Sequence, residues 1–156
     1  MITVAGVLSA VTTAKAVVNL DEQRHAPAAY EITTGAPARI ARAEDGHYWA
    51  TGDVDGRSVQ FLVDTGATAV SLTPDDARSL GIDTQALKYD SEVITAQGHA
   101  RAAAVKLATL SVHGAVVSDV DALVIEKGLQ TSLLGMSYLG RLSRFEASPT
   151  ALVLRP

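Results

Sequence analysis

The apolar residues of this chain come in runs that are cut off by turn signals. Asp55-Gly56, Gln97-Gly98, His113-Gly114 and Ser148-Pro149-Thr150 each separate two stretches rich in Val, Leu, Ile and Thr. Such punctuation favours hairpins and leaves little room for long helices. The pattern predicts strands over residues 47–54, 57–64, 69–72, 91–95, 100–110 and 115–125, with a closing hairpin over 144–154. Thr73-Pro74-Asp75-Asp76 reads as a helix start. Thr73 would be the N-cap, Pro74 the first helical residue, and the two carboxylates would sit at the positive end of the dipole. That helix is expected to reach Leu80 and end at Gly81. A second helix is predicted over 132–142, weakened by Gly135 and Gly140. About eight closely spaced antiparallel strands and two short helices argue for a mainly β fold, a small barrel or sandwich.

Composition fits one folded domain. Apolar residues make up 47% and charged residues 19%, so most of the chain can bury a core. Aromatics are only 4%, which leaves the core to aliphatic side chains. The net charge is -4 and no block of five or more like charges occurs, so nothing suggests a nucleic-acid partner. The absence of cysteine excludes disulfides, thiolate nucleophiles and cysteine-ligated zinc.

Residues 1–18 are apolar apart from Thr, Ser, Gly6 and Lys15. One reading is an export signal or the remnant of a membrane anchor, with Ala14-Lys15-Ala16 as a small-x-small cleavage site. Against it, no basic region precedes the run, Lys15 interrupts it, and it falls short of the ~20 residues of a full span. The other reading is a surface helix or arm. Residues 19–45, with Pro27 and Pro37, read as a linker, and the folded domain is expected over 46–156.

The stretch that carries chemistry is Phe61-Leu62-Val63-Asp64-Thr65-Gly66-Ala67-Thr68. An apolar strand runs directly into a carboxylate, which is costly unless the group is hydrogen-bonded or shares a proton. Gly66 lets its amide approach the carboxylate, and the Thr65 hydroxyl could lock the loop. By itself Asp-Thr-Gly also suits a plain turn cap. A second element, Leu133-Leu134-Gly135-Met136, suits a strand passing under the Asp64 loop, with the hairpin at Gln97-Gly98 lying between the two in sequence.

Other constellations carry less. The Asp64 loop shares its first residues with phospho-aspartate loops, but Thr65 and Gly66 stand where those carry Lys or a second Asp. Asp75 and Asp76 diverge by ~100° on a helix and are explained by capping. Asp119 and Asp121 fall two apart on one strand and read as a solvated face. His25, His47, His99 and His113 have no ligand spacing. Tyr48 and Trp49 read as core or interface residues.

The order of these elements resembles the retropepsin-like aspartic proteases, and among them the bacterial single-domain group. The matching stretches are Phe61 to Thr68, then Asp76-Ala77-Arg78-Ser79-Leu80-Gly81, then Thr95-Ala96-Gln97-Gly98, then Leu133-Leu134-Gly135-Met136-Ser137-Tyr138-Leu139. Gln97 departs from the Asn more usual there. The resemblance implies an acid-protease half-barrel with one or two short helices, acting as a homodimer. Asp64 would be the catalytic residue, one from each chain, with Thr65, Gly66 and Ala67 supporting its loop. Thr95, Ala96, Gln97 and Gly98 would form a flap over an extended peptide or protein substrate. Leu133, Leu134 and Gly135 would lie under the site or in the substrate pockets, to which Val93 and Ile94 are also assigned. Neither a metal nor an organic cofactor is implied. The alternative is a non-catalytic module of the same fold that dimerises or binds peptide. The group's usual setting implies the bacterial cell envelope, membrane-anchored or periplasmic, with the cytoplasm as the other location.

Overall fold

The computed structural model describes residues 35–156. The expectations for residues 1–18, for the first part of the linker and for His25 lie outside the described residues. Among the described residues the chain forms β1 (Ala38–Ala41), β2 (Trp49–Val54), β3 (Arg57–Val63), β4 (Val70–Leu72), α1 (Pro74–Ser79), β5 (Ser91–Thr95), β6 (Gly98–Val112), β7 (Ala115–Ile125), β8 (Ser132–Leu134), α2 (Met136–Leu139), β9 (Arg144–Ala147) and β10 (Ala151–Arg155). No helix among them is long and apolar enough to cross a membrane.

Seven strands form one sheet in the order β2-β3-β8-β4-β7-β6-β5, and β2 also pairs with β6, so the sheet curls back on itself. The closure runs through Gly52↔Val112 and Val54↔Leu110. A Cβ at Gly52 would lie 2.8 Å from the Phe61 ring, so a larger residue there would push the ring out of the core. The β2–β3 hairpin turns on Asp55 and Gly56, both with positive φ (50° and 83°), the backbone that a two-residue hairpin turn needs. The Asp55 carboxylate then accepts the Thr109 N–H at 2.7 Å and pins the hairpin tip to the middle of β6.

The second sheet is β1-β10-β9. Here the expectation of a linker up to residue 45 needs correction. Ala38 and Ile40 alternate with exposed residues and pair with Leu154 and Leu152, so residues 38–41 belong to the domain. Two inward residues are too short a pattern to be read against the Pro and Ala around them. The 132–142 helix also needs correction. Residues 132–134 are strand, Gly135 is extended, and only Met136–Leu139 is helical. β1 and β8 bring the strand count from eight to ten. The pairing is not wholly antiparallel either, since β3 runs parallel to β8 and β4 parallel to β7.

The helix start is as read: the Thr73 hydroxyl accepts the Asp76 N–H at 3.1 Å, and Gly81 has φ 86°. Asp75 pairs with Arg78 on the same helix. Asp121 pairs with Lys106 at 2.7 Å, while Asp119 takes φ 51° and drops out of the β6–β7 pairing, interrupting the shared face. His99 lies 2.7 Å from Glu92, His47 lies 3.5 Å from Asp45, and His113 sits in the β6–β7 turn. The Trp49 indole donates to Asp45, whose carboxyl is held below its usual range first by the His47 N–H and then by that indole.

The main core joins both sheets and α2 through Phe61, Leu72, Leu107, Leu110, Leu134, Tyr138, Leu139 and Leu154. Each such side chain contributes about 1.5–3 kcal/mol when fully buried. A separate small cluster of Ala100, Ala102 and Ile125, with Val93, Leu123 and Leu129 against it, lies at the base of the β5–β6 hairpin.

Tyr138 is fully buried, and its hydroxyl donates to the Ala115 carbonyl at 2.8 Å. Burial pushes its pKa well up. With the folded value raised, the neutral phenol's contribution is complete below the unfolded pKa of about 10 and is lost as pH rises beyond it. Tyr138→Phe is expected to cost ~0.5–1.5 kcal/mol at neutral pH through loss of this buried hydrogen bond, and to remove this alkaline slope. Urea unfolding of both proteins at neutral and alkaline pH measures both effects.

Candidate active site

Asp64 is the first residue after β3. Its N–H donates to the Leu134 carbonyl at 3.2 Å, so the β3–β8 pairing extends to the point where the carboxylate begins. Asp64 Oδ1 accepts the Gly66 N–H at 2.8 Å. A Cβ on Gly66 would lie 3.1 Å from that oxygen, so glycine is what lets amide and carboxylate meet. The Ala67 N–H donates to the Asp64 carbonyl at 3.2 Å, and the Ala67 carbonyl accepts the Met136 N–H at 2.8 Å. The loop is thus held by β8 and the start of α2. The Thr65 hydroxyl, read as a lock, takes no part in this set of bonds, and Thr65 is exposed.

Gly135 is buried beneath the loop. A Cβ there would lie against the Ala69 carbonyl and 2.8 Å from the Ala67 oxygen, both backbone atoms. No flexible side chain can yield at this contact.

Asp64 opens onto a cleft of about 680 Å³. Its floor is Leu62, Leu133 and the 66–69 stretch of the Asp64 loop, its far wall is Leu123, Ile125 and residues 129–131, and residues 92–97 of the β5–β6 hairpin cover it. The structure therefore brings Asp64, Gly66 and Ala67 together with Thr95, Ala96 and Gln97, and puts Val93, Ile94 and Leu133 in the same cleft. Thr65, Gly98, Leu134 and Gly135 do not line it; Leu134 and Gly135 are buried beneath, and Gly98 turns the hairpin with φ 105°.

At the hairpin tip the Thr95 hydroxyl accepts the Gln97 N–H at 3.2 Å and donates to the Gly98 carbonyl at 2.9 Å. A Cβ on Gly128 would be 3.7 Å from both Gln97 Cβ and Thr95 Oγ1, so the tip lies against the β7–β8 loop. Ile94, although it lines the cleft, is 82% exposed.

Sequence reasoning missed Leu62, Leu123, Ile125, Leu129, Gln130 and Thr131 as lining residues. Leu62 was recoverable, two residues before Asp64 on the same strand face. The 129–131 stretch carried no local signal. Among the described residues, no group of three His, Cys, Asp or Glu side chains is placed to hold a metal ion.

A carboxylate held by a backbone amide at the mouth of an apolar, roofed cleft is a rigid acceptor next to a groove that an extended chain could fill. Comparison with known proteins agrees with this geometry. Residues 50–141 match the family model described as gag-polyprotein putative aspartyl protease. A crystal structure of a retropepsin-like aspartic protease from Rickettsia conorii superposes with a TM-score of 0.70 at 36% identity, covering 76% of this chain and 98% of that one. EIAV protease, solved with the inhibitor HBY-793, superposes with a TM-score of 0.52 over 62% of this chain and 88% of that one; at 16% identity the likeness is one of fold. Fold and site together define an acid-protease half-barrel. The chain belongs to the retropepsin-like aspartic protease family.

Two curated relatives are uncharacterized proteins. One, from the cobV 5' region of a Sinorhizobium species, is 40% identical over 112 residues, 71% of this chain and 48% of the relative. The other, from Rickettsia prowazekii, is 37% identical over 115 residues, 74% of this chain and 49% of the relative. The chain spans about half the length of the curated relatives it matches.

Gly135→Ala tests the packing under the loop. Overpacking against backbone is expected to cost ~3 kcal/mol or more, above the ordinary range for an added methyl. Thermal unfolding checks the loss, and amide exchange at Gly66 and Ala67 checks that the Asp64 loop is where the strain appears.

Proposed function

We propose that the protein is an aspartic endopeptidase in which two copies each supply one Asp64. The observation that carries this reading is the Asp64 carboxylate, fixed by the Gly66 N–H at 2.8 Å and opening onto the roofed cleft. One chain supplies one such carboxylate, and the chemistry needs two. Like carboxylates at close range cannot both ionise, so the pair holds one proton between them. The ionised member takes a proton from a water, whose oxygen adds to the peptide carbonyl carbon. The protonated member hydrogen-bonds the carbonyl oxygen and gives up its proton as the tetrahedral carbon forms. Collapse breaks the C–N bond while a proton passes to the leaving amine nitrogen. No covalent link to the protein arises, and the step calls on no cofactor.

The substrate would lie extended between the Asp64 loop and the β5–β6 hairpin, pairing through its main chain as an added strand does. The hairpin would act as a flap that excludes water. Apolar lining at Leu62, Val93, Leu123, Leu129 and Leu133 favours apolar side chains beside the scissile bond. Residence in a bacterial cell envelope, anchored or periplasmic, is proposed on the apolar character of residues 1–18 and on the usual setting of the bacterial group it resembles.

Purified wild type and Asp64→Asn, incubated with an unfolded protein from acid to neutral pH, test the reading. Wild type is expected to cut with specific activity that rises with its own concentration, and Asp64→Asn to lose roughly 100- to 10,000-fold of that rate. Equal cutting by both would remove Asp64 from the chemistry. No cutting by a protein that does dimerise would favour a peptide-binding module of the same fold.

A further inference from the structure

β4 is short, three residues that all pair in parallel with β7. It meets β8 at one residue pair only, Ser71↔Leu133, although it is the strand that receives the chain from the Asp64 loop. Two of its flanking amides are bonded by side chains instead. The Ser132 hydroxyl, fully buried, accepts the Thr73 N–H at 3.1 Å and donates to the Asp76 carboxylate. The Ser137 hydroxyl accepts the Val70 N–H at 2.8 Å and donates to the Asp121 carbonyl at 2.7 Å. The Asp121 carboxylate is separately paired with Lys106, and it is the Asp121 backbone oxygen that Ser137 meets.

These two serines act at opposite ends of β4. Ser132 ties its far end to α1, away from Asp64. Ser137 ties its near end, the residue at which the Asp64 loop re-enters the sheet. The other fixed points of that loop are the Leu134 carbonyl on Asp64 N–H and the Met136 N–H on the Ala67 carbonyl. Leu134, Met136 and Ser137 thus hold the start, middle and end of the loop from one short stretch. Ser137 is the member that does so with a side chain, and it alone carries the tie onward to β7.

From this arrangement we infer that Ser137 is a positioning residue for Asp64: its hydroxyl fixes where the loop ends, and through the loop it sets the direction of the carboxylate. The inference deepens the protease reading and rests on it for its catalytic consequence, but the placement of the loop is measurable without any reaction. Removing the hydroxyl leaves the Val70 amide without its acceptor in a buried strand. The loop then has two anchors from backbone and none at its exit, and the Gly66 N–H to Asp64 contact is the bond with least to hold it.

The test compares Ser137→Ala, Ser137→Thr and, as a control for ordinary hydroxyl loss, Ser132→Ala. Amide exchange by NMR is read at Val70, Gly66 and Thr73, with global stability measured in parallel. Ser137→Ala is expected to speed exchange at Val70 and Gly66 by about tenfold or more beyond the change in global stability. Ser132→Ala is expected to act at Thr73 and leave Gly66 alone. In peptide cleavage, Ser137→Ala should lower kcat on the order of 10- to 100-fold, with KM within about twofold and a shifted acid limb of the pH profile. Ser137→Thr, which keeps the hydroxyl, should restore both exchange and kcat. Unchanged exchange at Gly66 in Ser137→Ala, or an equal change there in Ser132→Ala, overturns the inference. So does a kcat equal to wild type. A wild type that cuts nothing would sink the protease reading instead, and exchange at Gly66 would still decide whether Ser137 positions the loop.

Discussion

The insertion of β8 between β3 and β4 is the constraint on which the site depends. β3 leads directly into Asp64, the chain loops out and comes back as β4, and the gap this leaves is filled by a strand from about 70 residues later. Gly135 makes the insertion fit, because the Ala67 and Ala69 carbonyls occupy the space that a Cβ would need. The Leu134 carbonyl and the Met136 amide on either side of it bond the Asp64 loop directly. A long-range pairing, which costs loop-closure entropy to form, is therefore what makes a short local loop rigid. A carboxylate on that loop inherits its fixed direction from the sheet.

The roof of the cleft is built on different terms. The outer part of the β5–β6 hairpin, residues 91–102, does not join the main core. It rests on the small cluster of Ala100, Ala102 and Ile125, and its tip touches the β7–β8 loop at Gly128. A segment with few buried apolar contacts opens at lower cost than one locked into the core. The rigid half of the cleft and the half suited to motion are thus separated in the packing itself, with β6 and β7 running through both. The cross-strand contact of His99 and Glu92 on this hairpin is largely exposed, where such pairs add little to stability.

Much of the fold was legible locally. Six of the strands and both ends of the 144–154 hairpin follow from alternation and turn residues, and α1 follows from Thr73, Pro74 and Gly81, because each of those signals acts over two to four residues. Asp64 with its Gly66 and the β5–β6 hairpin were legible for the same reason. What was missed is non-local. Ala38 and Ile40 are strand residues because Leu154 and Leu152 lie opposite them. The 132–142 stretch reads both as a helix and, at Leu133-Leu134, as a strand under the Asp64 loop; the edges of β3 and β4 on both sides decide for the strand. Leu123, Leu129 and Thr131 line the cleft only because β7 and the loop after it fold beneath the hairpin.

The sequence by itself determined the β-rich class, the turn positions, the helix cap, the carboxylate with its glycine, and the family to which these belong. These are properties of short stretches, decided by φ, by capping groups and by where apolar runs stop. The tertiary structure alone decided which backbone oxygens Gly135 meets, that Ser137 rather than Thr65 bonds the end of the loop, and that Leu123, Ile125 and residues 129–131 share a cleft with Asp64. Those facts depend on which distant backbone groups meet, and hydrogen bonds and close contacts between residues tens of positions apart leave no mark on the local pattern of either partner.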